Sequence, residues 1–196
     1  HMKIILFSLF VILMFGHTNL SAQKMTIGFI YPAGAETGTT TEIEIGGLNL
    51  NSATEVIISG EGVKTEIIPA DQRKKESKPK PGARGKLDEQ SSPQLADRIG
   101  VRVTIAKNAL PGLRDLRVQS VNGISNKLSF EVGQYPNLLE QNVSSAAKPT
   151  VVEKLPVTLC GQIFPGEVDY FRFRVEKGMT LVASVKARML VPYIAD

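Results

Sequence analysis

Thr39-Thr40-Thr41-Glu42-Ile43-Glu44-Ile45, followed by Gly46-Gly47, is the stretch on which the fold turns. In an extended chain Thr41, Ile43 and Ile45 fall on one side, and Glu42 and Glu44 on the other. Successive Cβ atoms of a strand point to opposite faces, so this period of two predicts a strand with one buried side, ended by the two glycines. The pattern returns at 100–106, where Val101, Val103 and Ile105 alternate with Arg102 and Thr104. It returns again at 127–132 through Leu128, Phe130 and Val132.

Working outward, Thr26 to Tyr31 reads as a strand stopped by Pro32, with Ala33-Gly34-Ala35 as turn material. Glu55 to Ser59 and Val63 to Ile68 read as a hairpin around Gly60-Glu61-Gly62. Leu113 to Val121 is a further strand between the turns Leu110-Pro111-Gly112 and Asn122-Gly123. Several short strands at close spacing, with no amphipathic helix, predict an all-β sandwich over 24–133. Residues 71–97 interrupt it. They hold Pro79, Pro81 and Pro93, many charges and almost no large apolar residue, the composition of a flexible insertion. Residues 134–150, with Pro136 and Pro149, read as a linker. A second β-region, 151–196, is expected to hold strands at 157–163, 169–175 and 181–187. Three strands bury too little apolar surface to stand alone, so this region is expected to be the first part of a larger domain.

The N-terminus has another character. Met2-Lys3 precedes an apolar run from Ile4 to Phe15, then a more polar stretch ending Leu20-Ser21-Ala22-Gln23. That is the pattern of a secretory signal peptide, with cleavage expected after Ala22 and a short signal helix before it. The apolar core is about a dozen residues against the roughly 20 a transmembrane helix needs. An uncleaved anchor is the alternative. His1, ahead of Met2, reads as a remnant, so 1–22 is assigned to remnant and leader. The expected location is outside the cytoplasm: periplasmic, cell-surface or extracellular, with no stable membrane insertion after cleavage.

Charge and chemistry exclude more than they assign. Between Arg73 and Lys86 seven basic residues face one acid, Glu76. Subtracting the +6 of that stretch from the whole-chain +4 leaves −2 for the rest. The basicity belongs to one segment without aromatic residues for base stacking, so no nucleic-acid partner is expected. Both histidines, His1 and His17, precede the expected cut, and Cys160 is the single cysteine. This excludes an internal disulfide, a histidine-dependent catalytic triad and a thiolate metal cluster. Cys160 itself reads as a small buried hydrophobe. Glu42 and Glu44 read as a solvated face rather than a catalytic carboxylate pair.

Two resemblances organise these pieces. Tyr31-Pro32-Ala33-Gly34, Gly38-Thr39-Thr40, Ile43-Glu44-Ile45-Gly46-Gly47 and Leu48-Asn49-Leu50 resemble the opening of an immunoglobulin-like IPT/TIG domain. Leu110-Pro111-Gly112, Leu116-Arg117-Val118 and Asn122-Gly123-Ile124-Ser125-Asn126 are similar to that family's last hairpin. The 71–97 insertion is longer than the family's loop there. Glu140-Gln141-Asn142, Leu155-Pro156-Val157, Gly161-Gln162-Ile163, Asp169-Tyr170-Phe171-Arg172-Phe173 and Lys177-Gly178 resemble the first half of a bacterial pre-peptidase C-terminal (PPC) domain, a jelly-roll-like sandwich. The resemblance implies calcium as the one metal to consider, on Glu140, Asn142 and Asp169, although Val143 stands where the family carries another acid. Asp169 reads equally well as a turn residue.

The function expected is non-catalytic: a binding or spacer region of a larger exported protein, with no enzyme activity and no other cofactor. Its partners would be an extracellular protein, a polysaccharide or other domains of the same chain. The alternatives are an accessory N-terminal region of a secreted peptidase-type hydrolase and a purely structural stalk. A sugar-binding face would need exposed aromatic residues, and Tyr31, Tyr135, Tyr170 and Tyr193 mostly fall where packing explains them.

Overall fold

A computed structural model describes residues 24–72, 97–140, 144–161 and 168–186. The expected leader, nearly all of the basic insertion, Asn142 and Tyr193 lie outside the described residues. In chain order the first nine strands are β1 (Thr26–Tyr31), β2 (Gly34–Glu36), β3 (Thr40–Leu48), β4 (Ala53–Ile58), β5 (Val63–Ile68), β6 (Asp97–Ile105), β7 (Gly112–Ser120), β8 (Gly123–Ile124) and β9 (Leu128–Gly133). One sheet has the order β1-β3-β6-β5. The other has β2-β9-β7-β4, with β8 added to β7. All pairs in these sheets are antiparallel except β2 with β9. This is the immunoglobulin arrangement of an ABED sheet facing a GFC sheet, with the first strand split between them.

The alternating faces are the buried ones. Ile45, Val101 and Val103 from one sheet meet Leu116, Val118, Phe130 and Val132 from the other, all at 0% exposure. Each such side chain contributes about 1.5–3 kcal/mol by leaving water. The outward residues pair among themselves. Arg102 stands between Glu42 and Glu66 in register, and its guanidinium bonds to both at 3.2 and 3.0 Å. Arg98 pairs with Glu44 and lies 5.2 Å above the Phe29 ring.

Several local expectations are corrected. Gly46-Gly47 does not end its strand, because β3 runs on to Leu48. The glycines are there for β1: a Cβ on Gly46 would lie 1.9 Å from the Phe29 ring, and one on Gly47 2.0 Å from the Thr26 carbonyl oxygen. The β1 register slips at this point, between Ile27 and Phe29. There the Asn126 amide takes the role of a neighbouring strand, accepting from Ile27 N–H (2.8 Å) and donating to Ile27 C=O (2.9 Å).

Gly60-Glu61-Gly62 does not close a hairpin. It carries the chain across the edge of the sandwich, so that β4 pairs with β7 and β5 with β6. Gly60 and Gly62, at φ 87° and 81°, make that crossing possible. It gives each sheet a fourth strand and brings Val56 and Val63 to the core from opposite sides. Gly34-Ala35 is likewise strand rather than turn, since β2 borders β9 so closely that a Cβ on Gly34 would sit 2.6 Å from Glu131 O.

Beyond Gly133 the described strands are β10 (Asn137–Leu139), β11 (Thr150–Val152), β12 (Thr158–Cys160) and β13 (Phe171–Phe173). β10 pairs in parallel with β12, and β11 with β13. The run expected as a strand at 181–187 is not one through Lys186. A strand is defined by a hydrogen-bonded neighbour, and no described residue provides one. Val182 and Val185 accordingly stand 86% exposed. Among the described residues no helix is long and apolar enough to cross a membrane.

Candidate functional site

The residues singled out for chemistry gather where β10 and β12 end together. Their register sets Leu139 opposite Cys160, so Glu140 and Gly161 leave the ladder side by side. The Glu140 N–H donates to Cys160 C=O at 2.9 Å. Asp169 is delivered by its neighbour: Tyr170 N–H donates to Ser144 Oγ (2.9 Å), and Tyr170 C=O accepts from Thr150 N–H (2.8 Å).

The two carboxylates meet over Gly161. A Cβ built there would lie 2.6 Å from Glu140 Oε2 and 3.5 Å from Asp169 Oδ2, so the missing side chain leaves room for both acids. The structure thus brings together Glu140 and Asp169, two of the three residues predicted. Asn142 lies outside the described residues. A calcium ion takes six to eight oxygen ligands at about 2.3–2.6 Å. Among the described residues no group of three or more His, Cys, Asp or Glu side chains is gathered. Glu140 Oε2 is shielded from solvent.

Cys160, half-buried beside this pair, is not reactive at neutral pH. Burial, and after it the negative charge of Glu131, push its thiol up to about 11, so the nucleophilic thiolate is scarce. Nor do Glu42 and Glu44 form a catalytic pair, because each is held by an arginine on an exposed sheet face. An open recess between β11 and β13 is lined by Val151, Val152, Glu153, Arg172, Phe173 and Arg174, which include a single carboxylate.

Sequence reasoning gave Gly161 no role at this site. Gly161, expected inside a strand at 157–163, stands just past β12, where a Cβ would meet both Glu140 and Asp169. Tyr135 and Tyr170 are 46% and 40% exposed. Only the parallel pairings, between residues some twenty positions apart, place either feature.

No family model matches the chain. No curated protein matches it either. Among solved structures it is similar to Bacteroides ovatus mixed-linkage glucan utilization locus SGBP-B, in complex with a mixed-linkage heptasaccharide, with 14% identity and a TM-score of 0.31. That alignment covers 62% of this chain and 23% of the other, so the chain spans less than a quarter of the protein it matches.

Proposed function

We propose that this chain is a non-catalytic binding and spacer region of a larger exported protein, whose sandwich holds the following β-region in a set position. The observation that carries this reading is the junction. Only three residues separate β9 from β10, and Asn137 Nδ2 donates to Gly34 O at 2.7 Å, clasping the next region to the sandwich edge. Lys186 adds an ion pair to Glu131 on β9. A hinge needs a stretch of unpaired backbone, and this connection has almost none. The exposed apolar residues of the second region, Val182 and Val185 among them, support its completion by further strands of the same protein. We keep the IPT/TIG-like and PPC-like readings of the two parts.

Nitrogen-15 relaxation on the full chain tests this. The sandwich and the β10–β13 region should share one rotational correlation time, and two independent times would overturn the reading.

A calcium ion at the Glu140–Asp169 pair is a second reading, favoured by the convergence of their oxygens over Gly161. Millimolar calcium should raise the melting temperature, and Asp169→Asn should abolish the rise. No shift in the unmodified chain would end the idea.

A further inference from the structure

The hairpin joining β7 to β8 is an exposed two-residue turn. Ser120 faces Gly123 in the ladder, leaving Val121 and Asn122 as a two-residue turn, with Val121 85% exposed. The Asn122 main-chain N–H is held by Ser120 Oγ at 3.1 Å. Its side-chain amide makes no hydrogen bond among the described residues, and Gly123 is exposed, at φ 135° with nothing within 4 Å of where a Cβ would stand.

We propose that Asn122 deamidates through Gly123. The Gly123 amide nitrogen loses its proton to solvent base and attacks Asn122 Cγ. A carbon–nitrogen bond forms, and the side-chain nitrogen leaves as ammonia with a proton from water. The resulting five-membered imide is opened by a second water at either carbonyl, giving aspartate or isoaspartate at position 122. No oxidant or enzyme is needed.

The remaining described asparagines lack this combination. The amides of Asn126, Asn51, Asn49 and Asn137 are occupied by Ile27, Asp97, Lys24 and Gly34 respectively. Asn108 is followed by Ala109, whose Cβ crowds the attacking nitrogen. Either product adds a negative charge to the turn. The isoaspartate product also lengthens the backbone by one carbon and disrupts the Ser120–Gly123 and Gln119–Ile124 register.

The test is incubation of the folded full chain at mildly alkaline pH, followed by peptide mapping with mass spectrometry and isoaspartyl methyltransferase labelling. Position 122 should convert at least roughly ten-fold faster than Asn108, the equivalent of about 1.4 kcal/mol in barrier. The label should be absent from Asn122→Gln, which lengthens the side chain and disfavours the five-membered ring. Conversion at 122 no faster than at Asn108 overturns the proposal, as does label that persists in Asn122→Gln at that same position.

Discussion

Single atoms decide several things about this molecule. Ser125 is 2% exposed, and its hydroxyl accepts the Val118 N–H at 2.9 Å while donating to Asn126 C=O. Ser125→Ala leaves a buried N–H without its partner, a loss of about 1–3 kcal/mol, readable as a lower midpoint in urea with an unchanged slope. Cys160 behaves in the opposite sense to a reactive thiol. Its folded value of about 11 exceeds the ordinary 9.0 of a free thiol, so the folded state holds its proton more tightly than the unfolded chain. This contribution is complete below pH 9 and lost as pH rises through 11. Thiol labelling at pH 9 should be much slower for the folded than for the urea-unfolded chain, and Cys160→Ala should flatten the stability profile in the pH 9–11 window.

At the level of elements, the crossing between β4 and β5 depends on left-handed backbone. Gly62→Ala sets a Cβ 2.9 Å from that of Ala109 and forces a side chain into a conformation costing about 1–2 kcal/mol. Thermal melting should show the loss, and Glu61→Ala, between the two glycines, should not. Asp97 opens β6 and caps the short 3-10 turn Leu50–Ser52, accepting from Leu50 N–H and from Asn51 Nδ2, both at 2.9 Å. It was expected to close a flexible insertion, but it is the anchor at which the sheet resumes. The Arg102 pairs are exposed and screened by water, so Arg102→Met should barely move the melting temperature.

For the whole molecule, the place of the basic insertion matters more than its composition. β5 and β6 are antiparallel neighbours with Ile68 opposite Gly100, so their ends already lie close together. Replacing 73–96 with a short Gly/Ser link should therefore preserve the sandwich. Loop closure changes by only about 0.6 kcal/mol per doubling of length, and circular dichroism with a melt would check it. A drop of many degrees would mean that the insertion packs on the sandwich.

The strands were legible in the sequence because one buried face imposes a period of two, and that period survives in Ile43, Ile45, Val101, Val103, Phe130 and Val132 without knowledge of any neighbour. Composition likewise excluded histidine and thiolate-cluster chemistry from residues 24–196, since a count needs no geometry. Which strand pairs with which was not legible. Gly60-Glu61-Gly62 has the local chemistry of a hairpin and becomes a crossing, and Gly46-Gly47 has that of a stop and becomes a site of close approach. Hydrogen bonds between β-strands join residues far apart in the chain, and nothing local records them. The meeting of Glu140 with Asp169 over Gly161 is of this kind, a product of parallel pairings that only the folded molecule decides.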